Sequence, residues 1–123
     1  MTNALEAYRS DSILALPREQ LLLRIYEALL GRIGEAEIAL GSGDRAAAGR
    51  AISKAFEIVS ALRDALRPET GAKCVPSLDQ LYRTVGQWLL EANLTQSPQL
   101  LASTRRVVGT LKEGWDVAVQ SAR

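Results

Sequence analysis

The chain has no histidine and a single cysteine, Cys74. The missing histidines take away the commonest general base and the commonest metal ligand. One cysteine cannot close an internal disulfide, which suits a reducing compartment. Aromatic side chains make up 5% of the 123 residues, so a core must be aliphatic. Basic residues outnumber acidic ones by 15 to 14, without the basic excess of a nucleic-acid binder. No apolar run approaches the ~18 residues that suggest a membrane-spanning helix. The first residues carry neither a basic stretch nor an apolar h-region, so no secretory signal is expected. No segment sustains the two-residue alternation of a half-buried strand.

What is present is an ordinary balance of 47% hydrophobic and 24% charged residues, enough for one domain with a core of its own. The apolar residues recur in steps of three and four. In the first stripe these are Leu22, Ile25, Leu29, Ile33, Ala36 and Leu40. The second runs through Ala48, Ile52, Ala55, Val59, Leu62 and Leu66, the third through Leu78, Leu81, Tyr82, Val85, Leu89 and Ala92. Leu101, Thr104, Val108, Leu111, Trp115, Ala118 and Ala122 form a fourth, with a heptad seam.

Punctuation between the stripes sets the boundaries. Pro17 is pre-organised for a first helical position. Gly41-Ser42-Gly43 offers a left-handed C-cap and Asp44 an N-cap. Arg67-Pro68 stops the second helix. Ser77 with Gln80 reads as a capping box, and Ser97-Pro98 repeats the cap-then-proline signal. The expected architecture is therefore all-α: an antiparallel up-down four-helix bundle in a single domain spanning residues 1–123, with an N-terminal arm at 1–16 and helices at 17–41, 44–67, 77–94 and 97–121.

No catalytic set emerges. Glu35, Glu37, Glu57 and Glu91 lack the histidines of a di-metal bundle site and read as solvated faces. Arg18, Arg24 and Arg32 are interspersed with Glu19, Glu27 and Glu35, so they form no basic stripe. Gly31, Gly34, Gly49, Gly86, Gly109 and Gly114 lie inside helices, where close helix packing is the expected reason. The chain is expected to be no enzyme and to hold no cofactor or metal.

One feature is in surplus. A simple bundle needs one apolar stripe per helix, yet Leu21, Leu23, Tyr26, Leu30, Phe56, Ile58, Trp88, Leu90 and Leu94 lie beyond the stripes. Ile13, Leu14 and Leu16 make the arm apolar as well. The excess implies a dense core, a homodimer face, or a groove for an amphipathic partner that the arm covers until displaced. For Tyr26 and Tyr82, core packing is the first reading. The second places them on a groove rim with the ring packed and the hydroxyl wet.

The order of these signals resembles the flagellar export chaperone family FliS, from Tyr8 to about Val119. The resemblance is carried by Ala7-Tyr8, by Ile13-Leu14-Ala15-Leu16-Pro17, and by Leu21 to Leu29 with Tyr26-Glu27 at its centre. It continues through Ser77-Leu78-Asp79-Gln80-Leu81-Tyr82, Leu89 to Asn93, and Leu111-Lys112-Glu113-Gly114-Trp115. Leu16 departs from the family's polar residue before the proline, and Ser77 replaces an asparagine. The resemblance implies a cytoplasmic chaperone that binds the disordered C-terminal segment of flagellin in an apolar groove and prevents premature polymerisation. Export-apparatus components are further implied partners, and a monomer or weak homodimer is expected, without nucleic acid or membrane insertion. A different secreted filament protein as client, or a self-associating bundle, remains open. The expected partner-binding residues are Tyr8, Leu14 and Leu16 on the arm, with Leu21, Ile25, Tyr26, Leu78, Leu81 and Tyr82 on the helices.

Overall fold

In the computed structural model, residues 18–65 and 75–121 are described. They form four helices: α1 (Arg18–Gly41), α2 (Arg45–Ala65), α3 (Val75–Thr95) and α4 (Pro98–Ser121). Among the described residues there is no strand. Each helix packs on two others, in the cyclic order α1, α2, α3, α4 and back to α1. Cross-helix pairs give the directions. Gly49 faces Asn93, Phe56 faces Gly86, and Arg63 binds Asp79 at 3.0 Å, so α2 and α3 run antiparallel. Tyr26 meets Trp115 and Glu37 meets Arg105, so α1 and α4 do as well. The result is the up-down four-helix bundle that the periodicity predicts.

The middle of each predicted stripe forms the core, while Leu22, Ile25, Leu40, Leu78, Leu81, Leu111 and Trp115 are half-buried at its margins and Leu66 and Ala122 lie outside the described residues. Leu29, Ile33 and Ala36 of α1 meet Ile52, Ala55, Val59 and Leu62 of α2, all at most 4% exposed. Val85, Leu89 and Ala92 of α3, with Leu101 and Val108 of α4, close the other side. Thr104 is buried in the α4 seam with its hydroxyl satisfied, because it donates to the Leu100 carbonyl one turn back at 2.7 Å. The helix ends differ from solvent-facing faces in that they need explicit partners. At α2 the Asp44 carboxylate accepts the Ala47 N–H at 3.0 Å, after Gly43 has taken φ +78°. At α4 the Ser97 hydroxyl accepts the Leu100 N–H at 3.1 Å. Both caps stand where the sequence places them.

Two expectations are corrected. Helix α3 begins at Val75, so Ser77 is inside its first turn and is not the N-cap. Proline is tolerated there because a first-turn N–H has no intrahelical partner in any case. Close packing also fails to explain most helical glycines. A methyl group added at Gly31, Gly34, Gly109 or Gly114 would meet nothing within 4 Å, whereas Gly49 and Gly86 do face a neighbour. Gly31 and Gly114 are exposed, so Gly31→Ala and Gly114→Ala are each expected to raise stability by about 0.5–1 kcal/mol. Urea unfolding checks this; a loss of stability would show that a neighbour needs the space.

The α3–α4 turn carries a non-glycine residue with positive φ, Gln96 at 54°. Its amide donates to the Asn93 carbonyl at 2.6 Å, which ties the side chain back onto the end of α3. Ser97 N–H closes the same turn on the Ala92 carbonyl at 3.2 Å.

Candidate functional site

Three polar groups from three helices meet inside one end of the bundle, the end where α1 and α3 begin and α4 finishes. Tyr26 of α1 is 0% exposed and Tyr82 of α3 is 3% exposed. Their hydroxyls hydrogen-bond to each other across the bundle, and either can donate. The Trp115 indole N–H of α4 donates to the Tyr26 oxygen at 2.9 Å. One phenolic oxygen thus accepts from the indole while sharing a proton with the second phenol. The triad places a polar knot in an otherwise aliphatic core and ties α1, α3 and α4 together.

Burial raises the Tyr26 pKa from its ordinary 10.0, and this outweighs the opposing hydrogen bonds from Tyr82 and Trp115. The neutral phenol is therefore the form that the folded state favours. Its contribution is complete below the unfolded value near 10 and is lost as pH rises through the folded value. An alkaline titration should show Tyr26 ionising late and together with loss of helicity. Tyrosinate absorbance followed beside circular dichroism checks this; ionisation of all three tyrosines near the ordinary value with the fold intact would contradict it.

Around the triad, Leu21 and Ile25 of α1 and Leu78 and Leu81 of α3 are half-buried. The structure thus brings six of the predicted partner-binding residues to one end. Tyr26 and Tyr82 take the first of their two readings, core packing, with hydroxyls that satisfy each other instead of water. The six spread over more than one flank of this end. Ile25 lies seven residues before Arg32, which lines the α1–α2 groove, so at about 100° per residue both lie on the flank towards α2. Leu81 points away from the α3 flank that carries Asp79 and Gly86 against α2. Leu21 and Ile25 therefore face one side of this end, and Leu81 faces another.

Tyr8, Leu14, Leu16 and Cys74 lie outside the described residues. Trp115 is the neighbour of the tyrosine pair that the sequence does not reveal: its heptad position places it on the seam, but nothing local points its N–H at Tyr26. Of the surplus apolar residues, Leu23, Leu30, Phe56, Ile58 and Trp88 are half-buried, while Leu90 is 49% and Leu94 84% exposed. Ile38 is also exposed and lies outside the stripes. Glu35 and Glu37 pair with Arg32 and Arg105. Among the described residues no cluster of three potential metal ligands occurs, and no helix is long and apolar enough to cross a membrane.

A family model described as "Flagellar protein FliS" matches residues 1–122. The chain belongs to the FliS family. Curated FliS relatives have similar lengths. The chain is 26% identical to the "Flagellar secretion chaperone FliS" of Vibrio cholerae over 120 residues, covering 94% of this chain and 88% of the relative. It is 27% identical to the protein of the same name from Salmonella typhimurium over 106 residues, covering 85% and 78%. The "Flagellar secretion chaperone FliSB" of Pseudomonas aeruginosa is 31% identical over 97 residues, covering 79% and 77%. These FliS relatives are named as secretion chaperones, and the bundle end just described gathers half-buried apolar side chains around a polar knot.

Proposed function

We propose that this chain is a cytoplasmic export chaperone that binds the disordered C-terminal segment of flagellin and keeps it from polymerising before export. The observation that carries this reading is the family match across residues 1–122. In this reading the client segment folds against the triad end, over Leu21 and Ile25 on one side and Leu78 and Leu81 on the other, and the half-burial of these apolar side chains supports it. Tyr26 and Tyr82 support this surface from beneath, by fixing the spacing of α1 and α3. The arm residues Tyr8, Leu14 and Leu16 complete the proposed contacts. A client that wraps the end of a bundle gains area on several helices, which suits a segment that is disordered before binding. No catalysis and no cofactor enter this reading. Export-apparatus components are its further protein partners.

Isothermal calorimetry with a flagellin C-terminal peptide tests the reading. Sub-micromolar affinity with a strongly negative heat-capacity change is expected, the signature of apolar burial coupled to folding. No binding at peptide concentrations of tens of micromolar would overturn the flagellin assignment.

A further inference from the structure

Between α1 and α2, away from the triad, runs a shallow groove of about 350 Å³. Arg32 and Glu35 line it from α1; Ala47, Arg50, Ala51 and Lys54 line it from α2. Its three cations and one carboxylate give a local net charge of +2, in a chain whose whole net charge is +1. Arg50 and Lys54 are exposed and make no ion pair among the described residues. Arg32 pairs with Glu35 at 3.3 Å, but both side chains are about half exposed, at 44% and 57%. Such a pair is weak and readily exchanged.

We propose that this groove is a docking surface for a carboxylate-rich helical segment of a protein partner. The charge is complementary, and so is the spacing. Arg50 and Lys54 stand one helical turn apart, about 6 Å along the axis. Glutamates at i and i+4 on a partner helix repeat at the same distance. The floor is methyl-sized, because Ala47 and Ala51 lie where longer side chains would fill the groove. A partner backbone can therefore approach closely while its carboxylates reach the cationic rim. Nucleic acid fits less well: Glu35 opposes phosphate, and no aromatic side chain lines the groove for base stacking. A membrane surface fits less well too, since no large apolar side chain lines it for insertion. The surface goes beyond the client reading and does not depend on it, because none of the proposed client contacts lines it.

The test uses the full chain and a synthetic 16-residue helical peptide with alanine on one face and glutamate pairs at i,i+4 beside it. A second peptide carries glutamine at every glutamate position. Fluorescence anisotropy should show salt-sensitive binding of the glutamate peptide. The double variant Arg50→Glu, Lys54→Glu should weaken it by about tenfold or more, and so should the glutamine peptide. Both substituted residues are exposed, and an unchanged circular dichroism melt confirms the fold. The flagellin peptide should bind the double variant as it binds the parent. Absence of glutamate-peptide binding, or binding that the charge reversal leaves intact, would overturn the inference while the flagellin titration stands or falls separately. Tighter, charge-reversal-sensitive binding of a single-stranded oligonucleotide or of anionic vesicles would overturn the assignment to a protein partner.

Discussion

Tyr26→Ala is expected to destabilise the bundle by about 3–5 kcal/mol, as truncation of a fully buried aromatic ring does. That is a large part of the ~5–15 kcal/mol that holds a domain of this kind together. The ring is 0% exposed and belongs to the central apolar cluster, so its removal leaves a cavity among α1, α3 and α4. The hydroxyl adds a separate contribution. Tyr26→Phe keeps the ring but takes away the acceptor of the Trp115 N–H and the bond to the Tyr82 hydroxyl. Losing these should cost about 1–3 kcal/mol, towards the lower value because Trp115 is only half-buried and its N–H can turn to water. Tyr82→Phe leaves the Trp115–Tyr26 bond in place and should cost less than Tyr26→Phe. Guanidinium unfolding at neutral pH measures all three, with unchanged m-values as the sign that two-state comparison holds. Equal costs for the Ala and Phe variants would mean that the hydroxyl, not the ring, carries the effect. No cost for Tyr26→Phe would show that the polar knot is incidental to stability.

The sequence is most legible where one residue type has one structural use. The α2 stripe from Ala48 to Leu62 is buried at every predicted position. Asp44 and Ser97 cap because a side-chain oxygen can satisfy an N–H three residues on, which is a local property. Legibility falls where the deciding partner is distant along the chain. Tyr26 finds Tyr82 at a separation of 56 residues and Trp115 at 89. Periodicity puts Tyr82 and Trp115 on inward stripes and leaves Tyr26 beside the α1 stripe, and only the packing order of the helices buries Tyr26 and makes the three polar atoms meet. The same holds for the client contacts. A 3.6-residue period assigns Ile25 and Leu81 to the apolar stripes; that both end up half-buried, and which neighbour each faces, depends on α1 packing between α2 and α4, and α3 likewise. The α3 start is not legible locally, because Ser77 has the chemistry of a cap while Pro76 is equally compatible with a first turn. The helical glycines at 31, 34, 109 and 114 show no packing role in the structure.

The second large effect concerns binding. Replacing Ile25 and Leu81 together by aspartate should weaken flagellin-peptide affinity by about a hundredfold or more, since each apolar side chain buried by a client contributes about 1.5–3 kcal/mol. Both side chains are half-buried in the free bundle, so the variant must first show a retained helical spectrum and a cooperative melt. The matched control is Leu90→Asp with Leu94→Asp, on the exposed face of α3. Those two residues have the same chemistry and greater exposure, yet the proposed client surface does not include them. The decisive measurement is calorimetric titration of the parent chain and both double variants with the same flagellin C-terminal peptide. The triad-end account predicts sub-micromolar binding by the parent, retention within about twofold by the Leu90 and Leu94 variant, and a loss of about a hundredfold or more by the Ile25 and Leu81 variant. Full-strength binding by the folded Ile25 and Leu81 variant, with loss in the Leu90 and Leu94 variant, would contradict it and move the client to the outer face of α3.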